Sequence, residues 1–250
     1  MKVGITEYGD AGIDLRWVKK ILKMEGAILI SKNFTETFME NVLNLHEDNN
    51  IILHCTCTGF GGTKLEPCVP EYKTQLNNLK AIIEKGFPAE NVVLRIDPIF
   101  PSKEGLERVK NVLDYFISLN LDVKRIRISI VDEYDHVKKR YKEYGWRPLY
   151  GVNFYASDEQ IKMVGDFLSK YPFIFETCAE EKLVNLYPEK FIIQGCISEK
   201  DLKLMNLEIP PLWENPQHRA GCHCLSCKTE LLTPRKNCEH KCVYCFWKEK

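Results

Sequence analysis

Apolar stretches rich in β-branched residues alternate along the chain with segments whose apolar positions recur every three or four residues. The first pattern predicts buried strands, and the second predicts amphipathic helices. Strands are predicted at residues 3–6, 27–30, 51–55, 92–96, 125–131, 173–177, 191–193 and 229–233. Strands that alternate with helices in this way favour a parallel sheet covered by helices.

This many strand–helix repeats in 250 residues predict an α/β fold that forms a full or partial (β/α) TIM-like barrel. A doubly wound open sheet is the alternative. Residues 1–208 would form the barrel body, and the cysteine-rich residues 209–250 would complete it. Residues 133–158 look irregular, which predicts a loop or lid. In such a barrel the functional side chains lie at the carboxyl ends of the strands.

Composition narrows the function classes. The chain is 44% hydrophobic and 28% charged, which is ordinary for a globular core. Its 35 basic and 35 acidic residues balance, so charge gives no indication of nucleic-acid binding, although a local basic patch would permit it. No run approaches the roughly 20 apolar residues of a membrane span. Eleven cysteines without a signal-peptide pattern favour metal binding in a reducing compartment, and we expect a cytoplasmic protein.

Three cysteines near the end of the chain carry the strongest chemical signal. Cys238, Cys242 and Cys245 are spaced Cys-x₃-Cys-x₂-Cys. Three thiolates on one loop can hold three corners of a [4Fe–4S] cluster and leave the fourth iron open to a small molecule. A radical S-adenosylmethionine (SAM) enzyme needs such an open iron, and Tyr244 could cover the adenine of SAM. The alternative is a structural zinc site completed by His240 or another cysteine.

A second metal site is predicted from cysteines elsewhere. Cys178 and Cys196 each follow a predicted strand, which would place both on the catalytic face of a barrel. Together with Cys222 and Cys224, from the group Cys-x-Cys-x₂-Cys that Cys227 completes, they could bind a second iron–sulfur cluster or zinc. Buried free thiols are the alternative, because cysteine is among the most commonly buried residues.

The stretch after the third predicted strand offers a hydrogen donor and a glycine turn. Cys55 and Cys57 point to one side of that strand, and if this side is the lumen, one thiol could donate a hydrogen atom to a radical. Core packing explains them equally well. Gly59, Gly61 and Gly62 could bring backbone groups close to SAM, or form an ordinary turn.

Polar side chains near the next strand could bind the rest of SAM. Arg95 and Asp97 lie on one side of this strand near its end. The guanidinium could clamp a carboxylate, or the two side chains could simply pair with each other. Glu66 could accept hydrogen bonds from a ribose or an ammonium group.

Taken together, these motifs resemble an uncharacterised radical-SAM-like family, domain of unknown function 1848, whose members carry the cluster cysteines at the C-terminus. The resemblance covers nearly the whole chain. It runs through Cys57-Thr-Gly-Phe-Gly61, Arg95-Ile-Asp-Pro98, Thr177-Cys-Ala-Glu180, Gly195-Cys-Ile197, Gly221-Cys-His-Cys224 and the motif Cys238-x₃-Cys242-x₂-Cys245.

The resemblance implies a barrel of the radical SAM type whose cluster loop lies at the chain end. It also implies a [4Fe–4S] cluster, SAM as cosubstrate, an electron donor such as flavodoxin or ferredoxin, and a 5′-deoxyadenosyl radical that attacks a substrate. The rival function is a non-catalytic metal-binding barrel.

Residues 65–101 are also similar, over a shorter stretch, to the DNA-repair-photolyase branch of radical SAM proteins, which includes spore photoproduct lyase. That likeness points to nucleic-acid or nucleotide modification. The N-terminal strand lacks the donor cysteine of the lyases, so Cys55 or Cys57 would have to replace it.

Overall fold

The computed structural model describes residues 1–209, 223–233 and 238–246, so the predicted ligand Cys222 lies outside the described residues. Eight strands form one sheet, in which all pairs are parallel and the order is β7-β6-β5-β4-β3-β2-β1-β8. The strands are β1 (Val3–Ile5), β2 (Gly26–Ser31), β3 (Asn50–Thr56), β4 (Val92–Ile99), β5 (Arg125–Ile130), β6 (Phe175–Thr177), β7 (Phe191–Ile193) and β8 (Lys228–Glu230). The predicted parallel α/β sheet is therefore confirmed.

Helices follow most strands. They are α1 (Trp17–Ile21), α2 (Glu36–Leu45), α3 (Tyr72–Glu84), α4 (Lys103–Ser118), α5 (Asp135–Glu143), α6 (Asp158–Leu168), α7 (Glu181–Leu186) and α8 (Glu199–Leu204). Hydroxyls of Thr35, Ser102, Ser157 and Ser198 accept backbone N–H groups at four helix starts, which satisfies donors that have no partner within the helix. Helix α5 falls inside the stretch predicted to be an irregular lid, so that prediction was wrong there. No helix in the described ranges has both the length and the apolar character needed to cross a membrane.

Apolar side chains pack on both faces of the sheet. Along β2, Ala27 and Leu29 join the large cluster that includes the helices, whereas Ile28 and Ile30 join a separate inner cluster. Successive strand residues point to opposite faces, so one face meets the helices and the other faces an interior. This two-layered packing is consistent with a β/α barrel-like arrangement.

Strands β7 and β8 are the two ends of the sheet, and a backbone contact bridges the chain segments beside them. Leu225 N–H donates to the carbonyl of Ile197 at 3.1 Å. A Cβ atom on Gly195 would lie 2.3 Å from the carbonyl oxygen of His223, so the close approach of the two segments requires glycine. The segment that leads into β8 therefore lies directly against the chain that leaves β7.

Buried charges occupy the inner face of β5 and β6. Arg125 contacts Glu176 and Asp201, each at 2.8 Å, and Arg127 Nη2 contacts Glu176 at 2.8 Å. Burial alone would raise the pKa of Glu176, but the two arginines lower it to about 2. The network keeps Glu176 ionised inside the sheet, and breaking it would leave an uncompensated buried charge.

Candidate functional site

A cavity of about 210 Å³ opens at the carboxyl ends of β1 to β4. A second wall comes from the segment 238–245, which we call the cysteine loop. The side chains that line the cavity include Glu7, Asp10, Lys32, Thr56, Arg95, Asp97, Cys238, Cys242 and Cys245. The sheet topology thus brings polar residues that lie in or just after four strands to the three cysteines near the end of the chain.

The three thiols of the cysteine loop act on one another electrostatically. Burial raises the pKa of Cys242 well above its usual value; Glu66, Cys245 and Cys238 add to this, and the ammonium of Lys32 opposes it. Lys32 is therefore the group that favours the Cys242 thiolate.

Three thiols line this one cavity, and three thiolates are the number that would leave one iron of a [4Fe–4S] cluster open. Among the described residues, no three His, Cys, Asp or Glu side chains converge as ligands of a single metal ion. A cluster does not require such convergence, since each thiolate binds its own iron.

A buried carboxylate ties the cysteine loop to the barrel. Glu66 Oε1 accepts Lys32 Nζ at 2.9 Å and the hydroxyl of Tyr244, and Glu66 Oε2 accepts the Thr58 hydroxyl at 2.5 Å. Burial would raise the pKa of Glu66, but Lys32 and the two hydroxyls outweigh burial and lower it. Glu66 thus stays ionised and connects the end of β2 to the loop.

His240, between the first two loop cysteines, provides a second tie. Its Nε2 lies 2.9 Å from Asp10 Oδ2, and its Nδ1 lies 3.3 Å from the carbonyl oxygen of Cys68. Both partners only accept hydrogen bonds, so both ring nitrogens carry hydrogens and the ring is an imidazolium. Burial opposes this charge, but Asp10 outweighs burial and raises the pKa of His240. Both nitrogens are occupied, so His240 does not offer the free nitrogen that the zinc interpretation needs.

Helix α5 and the loop after β3 hold the far side of the cysteine loop. Arg140 donates to the carbonyl of Val243 at 2.9 Å and also to that of Cys245. Val243 N–H donates to the carbonyl of Leu65 at 2.9 Å. These contacts hold the backbone on both sides of Tyr244 and fix where the last two cysteines lie.

Tyr244 is not among the residues that line the cavity, and its role in seating adenine stays a prediction. Its hydroxyl is bonded to Glu66, its ring packs edge-on against Phe100 at 5.5 Å, and Lys32 lies over the ring at 5.5 Å. The side chain is 9% exposed and belongs to an apolar cluster behind the loop. Tyr244 therefore positions the cysteine loop.

Cys55 and Cys57 lie on the side of β3 that packs against the helices, in the large outer cluster. Thr56, which points the opposite way, lines the cavity. The hydrogen-donor prediction required the two thiols to face the lumen, so the structure gives it no support.

The glycine turn also lies outside the cavity lining. Gly59 and Gly62 have φ of 83° and 76°, and a Cβ atom on Gly61 would lie 2.0 Å from the carbonyl oxygen of Pro70. These glycines allow the chain to fold back tightly and present Glu66 to Lys32. This geometry is that of an ordinary turn, and Glu66 hydrogen-bonds within the protein to Lys32, Thr58 and Tyr244.

Arg95 and Asp97 line the cavity, and they pair with each other there. The geometry is therefore compatible with a guanidinium that clamps a bound carboxylate and with a simple ion pair between the two side chains. The guanidinium and the carboxylate are 15% and 24% exposed, so both remain accessible from the cavity.

Cys178, Cys196 and Cys224 come together at a separate place, and we call them the second thiol group. Cys196 N–H donates to Cys224 Sγ at 3.2 Å. Hydrogen bonds from Cys178 and Cys224 lower the pKa of Cys196 well below its usual value, although burial opposes them. The prediction that these cysteines meet is in accord with the geometry of the three described members.

Sequence reasoning missed three residues that line the cavity: Glu7, Asp10 and Lys32. Asp10 also accepts Ser31 Oγ at 2.7 Å and Lys32 N–H at 2.6 Å, which joins the loop after β1 to the end of β2. All three follow the ends of the first two strands, a position that the barrel prediction itself marks as functional.

One family model covers most of the chain. The model described as Domain of unknown function (DUF1848) matches residues 16–247. No curated protein matches the chain by sequence. The match spans strands β2 to β8, the cavity residues from Lys32 onward and the cysteine loop, and the chain therefore belongs to the DUF1848 family.

Proposed function

We propose that this protein is a radical SAM enzyme whose cysteine loop binds a [4Fe–4S] cluster. The observation that carries the proposal is that Cys238, Cys242 and Cys245 all line one cavity at the carboxyl ends of the strands. When bound, such a cluster supplies the electron that splits SAM into methionine and a 5′-deoxyadenosyl radical.

The cavity walls suit the amino-acid end of SAM. Arg95 offers a guanidinium to the carboxylate, and Asp97 offers a carboxylate that can accept a hydrogen bond from the amino group. Binding SAM would open the ion pair that these side chains now form with each other. Their role is to orient SAM against the open iron and to replace its hydration shell.

The chain also holds the cysteine loop in place. Lys32 favours the thiolate of Cys242, while Glu66 and Tyr244 fix the loop backbone. The His240 imidazolium, paired with Asp10, holds the stretch between the first two cysteines. Groups that orient metal ligands in this way commonly decide metal affinity.

The test is anaerobic reconstitution with iron and sulfide, followed by SAM and dithionite. We expect a brown protein that forms 5′-deoxyadenosine, and the same sample without dithionite should form none. A colourless protein that binds zinc at the cysteine loop and forms no 5′-deoxyadenosine would instead support the non-catalytic metal-binding function.

A further inference from the structure

The second thiol group draws its members from three different elements. Cys178 follows β6, Cys196 follows β7, and Cys224 lies in the segment that leads into β8. Cys178 and Cys196 are close enough to shift each other's pKa, upward for Cys178 and downward for Cys196, and Cys224 Sγ accepts the N–H of Cys196 at 3.2 Å. The backbone contact between Ile197 and Leu225 holds two of these segments together. The fold therefore brings three sulfurs together from positions far apart in the chain.

Positive charge surrounds these sulfurs. Arg95 and Arg127 both act electrostatically on Cys196, and Lys228 acts on Cys196 and Cys224. Glu7, whose carboxylate is 3.7 Å from Cys196 Sγ, pairs with Lys228. These cations would offset part of the negative charge that thiolate ligands and a bound cluster bring to the site.

Unpaired polar groups lie near the group. In the described part of the chain, Arg127 Nε and Nη1 and both ring nitrogens of His54 are buried without a partner. His54 is 1% exposed and interacts electrostatically with Arg127 and Cys196. Buried polar groups in proteins normally find partners, and a guanidinium only donates, so the unpaired N–H groups of Arg127 indicate an occupant that is rich in acceptors.

We infer that the second thiol group binds an iron–sulfur cluster, distinct from the cluster assigned to the cysteine loop. Such a cluster is anionic, and its thiolate and sulfide sulfurs accept hydrogen bonds, which matches both the cations and the unpaired donors. Each thiol loses its proton to solvent as its sulfur bonds to an iron.

This second cluster would border the cavity already described. Glu7 and Arg95 line that cavity and also act on the thiols of the second group. The inference does not depend on SAM cleavage, because the two sets of cysteines share no residue.

The test measures iron and sulfide per chain, together with Mössbauer spectra, in the full-length protein after anaerobic reconstitution. We expect Cys196→Ala and Cys242→Ala each to lose about half of the iron of the wild type, and the double variant to lose nearly all of it. Cys227→Ala should keep the full content. Cys227 is a matched control, because it lies in the same inner apolar cluster as Cys196 and Cys224. The charges that act on its thiol are those of the chain N-terminus and Glu25.

Circular dichroism of the metal-free proteins separates loss of the cluster from loss of the fold, and Cys178→Ser provides a milder second variant. The inference is overturned if Cys196→Ala and Cys178→Ser keep the wild-type iron content, if the group binds zinc alone, or if Cys178 and Cys196 form a disulfide in place of a cluster. If Cys196→Ala loses iron but Cys242→Ala keeps the iron content of the wild type, the proposed function fails and this inference stands.

Discussion

Cys242→Ala should abolish 5′-deoxyadenosine formation, with a fall of about a thousandfold or more. Cys242 is buried at the cavity wall between the other two loop cysteines, so its loss removes one of three thiolates that hold the cluster. The measurement is the initial rate of 5′-deoxyadenosine formation from SAM under dithionite, quantified by chromatography.

Cys68→Ala is the control for this variant. The Cys68 thiol is exposed, although the backbone of the residue contacts His240. We expect the rate of Cys68→Ala to stay within about twofold of the wild type, because surface substitutions away from special contacts change little. Equal rates in Cys242→Ala and Cys68→Ala would contradict the assignment of the cysteine loop as the cluster site.

Lys32→Met should destabilise the protein by about 3–5 kcal/mol, which is typical when one partner of a buried ion pair is removed. The Glu66 carboxylate, with its side chain 1% exposed, would keep only its hydroxyl partners. The measurement is the free energy of unfolding from urea titration, with metal-free samples compared throughout.

Two further variants test whether loss of the Lys32–Glu66 ion pair causes the expected destabilisation. The double variant Lys32→Met/Glu66→Gln removes both charges and should recover most of the loss. Lys80→Met breaks an exposed pair with Glu84 on α3 and should change stability by less than about 1 kcal/mol. If Lys32→Met is as stable as Lys80→Met, Glu66 does not depend on Lys32.

The strands could be predicted because buried parallel strands appear as short, nearly continuous apolar runs. Because of the same property, the sequence does not show to which face of the sheet each side chain points. Ile52 faces the inner cluster and Leu53 faces the helices, yet both are apolar. The sequence around Cys55 therefore does not show which residues face the interior and which face the helices. An alternating polar pattern would have oriented the strand, but a strand buried on both faces has none.

The cysteine loop was predictable in composition but not in orientation. The spacing of the three cysteines identified a shared site, and all three line the cavity. The direction of Tyr244 depends on Glu66, which is 178 positions away in the chain, and on the packing of Phe100. Local sequence cannot predict a contact of that kind, because the contact forms only when the fold brings distant segments of the chain together.

The claim at the centre of this account is that the cluster of the cysteine loop keeps one iron open for SAM. The most direct test is electron–nuclear double resonance of the reduced protein with SAM labelled with ¹⁵N at its amino group, with Cys196→Ala measured in parallel to remove the signal of the second cluster. We expect a ¹⁵N coupling that is present in both proteins and absent without SAM. A reduced cluster whose spectrum does not change with SAM, and that shows no ¹⁵N coupling, would contradict the claim.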